Sequence, residues 1–215
     1  MRFLLLIPVI AVCLFCSCSG GNANKPFCDT TCNDRDTFKF TNDHTQHPLV
    51  TISKHNCAAD TLTWSHDQSF TVRQIVLPIV FDNPIKINKA AINCFIKDTT
   101  YAWLKFNDCK TGRGYLLKLP FNPKASISKI SGAINNFDPK FTVEKDLVAY
   151  TDRGTIYVED VNTGKKEAMT FKEEYPIDFD KIHETVDTAN ITHARIFVQL
   201  IKNGEKIPLE KKINL

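Results

Sequence analysis

Short segments in which apolar and polar residues alternate, each bounded by turn residues, occupy most of the chain after residue 36. Residues 37–41, 49–53 and 61–65 each place two large apolar side chains on one face. A period of two is the pattern of a β-strand that is buried on one face. The pattern therefore predicts an all-β fold of short antiparallel strands with little helix.

One turn sequence occurs twice in the chain. Residues 108–112 read D-C-K-T-G, residues 160–164 read D-V-N-T-G, and each follows a predicted strand. An Asp side chain accepts hydrogen bonds from the amides that follow it, and Gly supplies the positive φ that such turns need. A strand, a second strand ending in D-x-x-T-G and a third strand resembles a blade of the β-propeller families. Two similar hairpins in a β-sandwich explain the repeat equally well.

Three further segments bear on how the strands are connected. Residues 75–81 are apolar on both faces, which predicts a covered strand, with Pro78 at an edge or bulge. Residues 120–139 are rich in proline and predict a long connection with one helical turn near residues 128–134. Residues 179–188 predict a second short helix.

The N-terminus has the layout of a secretory signal. Arg2 is followed by an apolar run over residues 3–15 and then by small residues. About thirteen apolar residues are too few for a membrane span, which needs about 20. Residues 1–17 are therefore predicted to be a signal peptide that is removed on export.

The sequence Phe15-Cys16-Ser17-Cys18 resembles the lipobox of bacterial lipoproteins, in which a small residue precedes the cysteine that is diacylated. The family usually has Leu at the third position before that cysteine, where this chain has Phe15. The resemblance implies that Cys18 carries the lipid (palmitate) anchor, because Phe15 is too bulky to precede an acceptor at Cys16. Ser19 resembles the residue found in lipoproteins sent to the outer membrane, which implies a cell-envelope location. An ordinary cleaved signal peptide, with Cys18 in a disulfide, is the alternative.

The segment after the predicted anchor is polar and rich in Gly and Asn, which predicts a flexible tether over residues 18–36. The rest, residues 37–215, is long enough for one sizeable core and is predicted to be a single all-β domain. The formal net charge is +3, with basic and acidic residues interspersed. No basic stripe is present, so no nucleic-acid partner is predicted.

The chain contains eight cysteines, and export would place them where disulfides persist. The signal peptide and the lipid site take three, which leaves five disulfide candidates: Cys28, Cys32, Cys57, Cys94 and Cys109. We expect Cys94 to pair with Cys109, because both lie on one hairpin unit. Cys57 is expected to pair with Cys28 or Cys32.

Four of the six histidines are candidate metal ligands: His44, His47, His55 and His66. Imidazole is a ligand that zinc and copper prefer, so a periplasmic metal-binding protein is an alternative function. The spacing is unlike that of a compact zinc finger, and scattered surface histidines with no bound cofactor are the expectation.

Catalytic motifs are not evident in the sequence. There is no G-x-S-x-G, and the glycines are too scattered to form a phosphate-binding loop. Trp64, Trp103, Tyr101 and Tyr115 are candidates to line a ligand surface, although aromatic residues in strands usually belong to the core. We expect a non-catalytic binding or structural module, held at the membrane by lipid, that contacts an envelope protein, a glycan or a peptide. A hydrolase with carboxylates dispersed in the sequence is a further alternative.

Overall fold

The structure, a computed structural model, describes Cys28 and residues 37–68, 71–171, 175, 177–178 and 182–215. The predicted signal peptide, Cys18, the tether other than Cys28, and Cys32 lie outside these residues. Within the described residues the regular structure is mostly β-strand with very little helix, which confirms the all-β prediction. No helix in these parts of the chain is long and apolar enough to cross a membrane.

The strands and helices follow one another in this order: β1 Phe38–Thr41, β2 Leu49–His55, β3 Ala58–Ser65, β4 Arg73–Val76, α1 Leu77–Phe81, β5 Ile92–Lys97, β6 Tyr101–Asn107, β7 Gly114–Pro120, β8 Ser128–Ile130, β9 Ala133–Ile134, β10 Phe141–Val143, β11 Leu147–Asp152, β12 Thr155–Asp160, β13 Lys166–Thr170, α2 Ile182–Thr185, β14 Val186–Thr192, β15 Arg195–Lys202 and β16 Glu205–Lys212. They form four sheets of four strands each. Sheet I contains β1–β4, sheet II contains β5–β8, sheet III contains β9 and β11–β13, and sheet IV contains β10 and β14–β16.

Strands predicted from period two are present where expected. Val50 and Ile52 on β2 and Leu62 on β3 are fully buried, as residues on the inner face of a strand should be. The predicted covered strand over residues 75–81 is wrong from residue 77 onward, because β4 ends at Val76 and α1 follows. Pro78 lies in the first turn of α1, where a missing N–H breaks no intrahelical hydrogen bond.

Both D-x-x-T-G sequences form the same turn, one between β6 and β7 and the other between β12 and β13. The carbonyl of Asp108 accepts the Gly112 amide at 2.7 Å, and that of Asp160 accepts the Gly164 amide at 2.8 Å. Each Asp carboxylate also accepts the amide three residues on at 3.0 Å. The glycines have φ of 75° and 74°, as predicted for this turn.

The residues predicted to be a long connection are partly strands. Residues 128–130 form β8, paired with β7, and residues 133–134 form β9, paired with β11, so the helical turn expected near residues 128–134 is wrong. The next strand, β10, leaves sheet III and pairs in parallel with β14 of sheet IV. A strand that lies between β9 and β11 in sequence thus belongs to sheet IV, so the chain itself links the last two sheets in addition to their packing.

Successive sheets pack against each other in the order I, II, III and IV. Side chains from sheets I and II share one core, which includes Trp64, Leu104 and Leu117. Sheets III and IV share another, which includes Ile156 and Val198. A smaller cluster joins sheets II and III. The described fold is therefore a set of four small β-sheets, with one main core in each of two sheet pairs.

The disulfide pairing differs from the prediction. Cys109 is bonded to Cys28 across 81 residues of sequence, and Cys94 is free. Cys94 lies opposite Leu104 in the β5–β6 pair. Leu104 is five residues before Cys109, which is about 16 Å along an extended chain and well beyond the Cα separation that a disulfide allows. Cys57 is disulfide-bonded too, but not to Cys28 as one prediction had it, and the alternative partner, Cys32, lies outside the described residues.

Candidate functional site

Sheet II is covered on both faces, and this double burial creates the candidate site. On β6, Ala102, Leu104 and Phe106 pack toward sheet I. Tyr101 and Trp103 alternate with them and pack toward sheet III. Lys105 has the same parity as Trp103, so the strand directs a lysine toward an interface that is otherwise apolar.

A pocket of about 200 Å³ lies in this interface between sheets II and III. Its sheet II side includes Phe95, Trp103 and Lys105, and its sheet III side includes Val148. Lys145 and Asp146, in the turn before β11, lie at its edge. The pocket therefore combines an aromatic and aliphatic lining with two ammonium groups and one carboxylate.

The indole of Trp103 is the most unusual group in the pocket. Its side chain is 3 % exposed, and its Nε1 donates no hydrogen bond to any group that the structure describes. The other tryptophan, Trp64, is equally buried but donates to the Pro120 carbonyl at 2.9 Å. A buried donor without an acceptor costs about 1–3 kcal/mol. Trp103 is thus a buried donor, without an acceptor among the described residues, in a side chain that lines the pocket.

Lys105 is the second unusual group. It is partly buried, and in the described part of the chain no acidic side chain forms an ion pair with it. Burial removes water from its ammonium group and lowers the pKa of Lys105 below the usual lysine value. A lysine in this environment gains more from an anionic partner than an exposed lysine does.

An ion cluster centred on buried Glu159 lies beside the pocket, and one of its lysines contacts Trp103. Glu159 on β12 is 1 % exposed, with Lys118 Nζ 2.7 Å from Oε1 and Lys166 Nζ 2.9 Å from Oε2. The ammonium of Lys118 lies 5.0 Å from the centroid of Trp103 and 4.5 Å from that of Tyr101, which are cation–π distances. The close contact of its ammonium group with the Glu159 carboxylate raises the pKa of Lys166. Sheets II and III are therefore joined by charge as well as by apolar contact.

Tyr101 extends the same connection to the second D-x-x-T-G turn. Its hydroxyl donates to the Val161 carbonyl at 2.9 Å. Burial raises the pKa of Tyr101, and the nearby charges of Glu159 and Asp160 raise it further. Tyr101 thus remains a neutral hydrogen-bond donor at any physiological pH and supports the wall of the pocket.

Cys94 also lines the pocket, but it is not a nucleophile. Burial disfavours the thiolate and raises the pKa of Cys94 far above the usual thiol value. Its free sulfur instead packs against the core shared by sheets I and II.

A second groove, of about 380 Å³, lies between β8 and β11. It is lined mostly by polar groups, and its buried Thr151 is already satisfied, since both its amide and its hydroxyl donate to the Gly132 carbonyl. Among the described residues that line this larger groove, no buried side-chain donor is left without a hydrogen bond, in contrast to Trp103 in the pocket between sheets II and III.

The four candidate metal ligands are engaged separately. His44 accepts the Gln46 amide, and exposed His47 lies 2.6 Å from Asp67. His55 contacts its neighbour Asn56 at the β2–β3 turn, and His66 packs edge-on against Phe121. Across the described residues, no three or more His, Cys, Asp or Glu side chains are grouped as a metal site requires.

The sequence indicated part of this site. Trp103 and Tyr101 were candidates for a ligand surface and do face the pocket or its wall, whereas Trp64 and Tyr115 belong to the core of sheets I and II. Lys105 was missed, although one signal for it exists: a lysine at an inward position of an otherwise apolar strand. Lys145 was missed because its place at the pocket depends on how sheet III packs on sheet II.

Comparison of the chain with models of protein families, with curated proteins and with solved structures finds no match. Within the described residues, the pocket between sheets II and III is the clearest candidate binding site, because Trp103 and Lys105 line it without an acceptor among those residues.

Proposed function

We propose that the protein is a lipid-anchored protein of the cell envelope whose β-domain acts as a non-catalytic binding module. The observation that carries this proposal is the Cys28–Cys109 disulfide. Disulfides persist in the periplasm and at the cell surface and are rare in the cytosol. The bridge thus supports export, which is what the signal-like N-terminus predicts.

The position of the bridge also fits the predicted anchor. Cys28 is ten residues after Cys18, and Cys109 lies in the turn between β6 and β7 of sheet II. Ten residues span at most about 36 Å. A lipid on Cys18 would therefore hold sheet II within that distance of the bilayer, and two acyl chains make such attachment effectively permanent.

Binding is favoured over catalysis by the chemistry of the pocket. Trp103 and Lys105 are donors suited to hold a ligand, and the neighbouring Cys94 thiol is kept protonated by burial. The partner expected from the sequence is an envelope protein, a glycan or a peptide. The pocket would bind a small molecule in addition to that partner.

The test of the proposal is the chemical state of Cys18. The full chain is expressed in a bacterium that processes lipoproteins, in the presence of an alkyne fatty acid, and the membrane fraction is probed for label. We expect the wild-type protein and Cys16→Ser to be labelled and membrane-bound, and Cys18→Ser to be unlabelled. An unlabelled, water-soluble wild-type protein, or label retained in Cys18→Ser, would overturn the proposal.

A further inference from the structure

We propose that the pocket between sheets II and III binds a small organic monoanion, a single-ring carboxylate, through the Lys105 ammonium and the Trp103 indole N–H. This inference deepens the proposed binding role and rests on it. It concerns a ligand free in the envelope compartment, not a macromolecule.

The two donors are placed to act on one group. Trp103 and Lys105 are two residues apart on β6, so their Cα atoms are about 7 Å apart and their side chains leave the same face of the strand. Both line the pocket. A carboxylate has two oxygens with several lone-pair directions, so it can accept from an indole N–H and an ammonium at once.

The charges around the pocket favour a single negative charge. Lys105 and Lys145 contribute two positive charges, and Asp146 contributes the one negative charge among the lining residues. The resulting charge of +1 is balanced by a monoanion. Beside the pocket, Lys118 and Lys166 share the single carboxylate of Glu159, which leaves one further positive charge that also attracts an anion.

The size and lining favour one ring. A cavity of 150 Å³ lined by apolar side chains holds benzene, whereas pockets for drug-sized ligands are about 300–1,000 Å³. The pocket of about 200 Å³ is thus close in size to one ring with a carboxylate and smaller than the pockets that hold drug-sized ligands. Phe95 and Val148 offer apolar contacts for the ring.

The pocket is also preorganised. Trp103 packs with Leu116, Ala133 and Val148, and Lys118 lies over its ring. A side chain held in this way loses little conformational entropy on binding, so more of the interaction energy appears as affinity.

The test uses the full-length protein in detergent, titrated with benzoate as the probe and followed by calorimetry. Benzyl alcohol, which lacks the charge, and acetate, which lacks the ring, are the comparison compounds. We expect benzoate to bind and both comparison compounds to bind at least about tenfold more weakly, as expected when either a charge-assisted hydrogen bond or the ring contact is lost.

The variants assign the binding to the two donors. Lys105→Met should weaken benzoate binding by about 10- to 100-fold, because a charge-assisted hydrogen bond is lost. Trp103→Phe keeps the aromatic packing but removes the N–H, and should weaken binding by about 3- to 10-fold. Trp64→Phe and Lys39→Met are matched controls outside the pocket and should bind benzoate as the wild type does.

A second measurement reports on the indole itself. The chain has two tryptophans, so the ¹H–¹⁵N spectrum shows two indole signals, and Trp64→Phe identifies that of Trp103. Benzoate should shift the Trp103 signal downfield and leave the Trp64 signal in place. This measurement does not depend on whether the Trp103→Phe protein folds.

Benzoate that fails to bind at millimolar concentration, or that binds equally to wild type and Lys105→Met, would overturn the inference. The same titration on Cys18→Ser separates this result from the anchor. Pocket binding is expected in both lipidated and unlipidated protein, so loss of label without loss of binding affects only the proposed location. Absence of benzoate binding in protein that does carry the lipid label would overturn only the proposed ligand of the pocket.

Discussion

Replacing Cys28 and Cys109 together by alanine is expected to lower the free energy of unfolding by about 4.5 kcal/mol. The bridge joins residues that are 81 apart in sequence. Closing a loop of that length removes roughly 15 cal/mol/K of entropy from the unfolded chain, and at 25 °C this corresponds to the stated energy. The folded state loses little, since the Cys109 amide keeps its 2.7 Å hydrogen bond to the Lys86 carbonyl.

The assay is guanidinium unfolding of the full chain, followed by tryptophan fluorescence without reductant. Reductant is unsuitable because Cys57 is disulfide-bonded too. Cys94→Ala is the matched control, since its sulfur is partly buried but unbonded, and it should cost about 1 kcal/mol or less. The double variant should also show a larger denaturant slope, because its unfolded chain is less compact.

A double variant that loses no more stability than Cys94→Ala would refute the reasoning. Such a result would mean that the Cys28–Cys109 bridge does not restrict the unfolded chain. Peptide mapping of the non-reduced wild type would then show whether the two residues are joined at all.

Three further predictions concern the sheets around the pocket. Gly114→Ala should lower the thermal stability by about 1–3 kcal/mol, because its Cβ would lie 2.3 Å from the Ala133 carbonyl oxygen. Lys118→Met should cost about 1–3 kcal/mol in denaturant unfolding, because Glu159, 1 % exposed, loses the donor at 2.7 Å. Desolvation acts to raise the pKa of Asp160, but hydrogen bonds from the amides of its turn lower it overall. The charged Asp160 therefore contributes fully to the free energy of unfolding above about pH 4, and this contribution is lost as the pH falls through the folded pKa. In Asp160→Asn, the free energy of unfolding should consequently fall less steeply with decreasing pH in the acid range.

Controls separate these effects from general damage. Gly164→Asn should change stability by only about 0.5 kcal/mol, because nothing lies within 4 Å of the added Cβ and Asn tolerates the local φ of +74°. Lys39→Met, at an exposed position of β1, should leave the free energy of unfolding unchanged. A Gly114→Ala protein as stable as wild type, or an Asp160→Asn profile parallel to that of wild type, would contradict the corresponding prediction.

Several local features could be predicted from the sequence because their causes are local. The alternation of Val50 and Ile52 with polar residues predicts β2, since the side-chain period of a strand is two. Asp160 and Gly164 predict their turn, because its hydrogen bonds and its positive φ lie within five residues.

Other features depend on distant residues. Residues 77–81 have the apolar content of a strand, yet they form α1, with Leu77 and Phe81 both buried in the core of sheets I and II. The parallel pairing of β10 with β14 leaves no local pattern in either segment. The candidate site also depends on distant residues, because Lys105 is partly buried, with a lowered pKa, only when sheet III packs over it.

By itself, the sequence determined the all-β class, most strand positions and both D-x-x-T-G turns, since periodicity and turn chemistry act over a few residues. The tertiary structure decided the order in which four sheets pack, the pairing of Cys109 with Cys28 instead of Cys94, and the pocket that brings Trp103 and Lys105 together. Sheet packing and disulfide formation depend on distances in space between residues far apart in the chain, and a periodic pattern does not contain those distances.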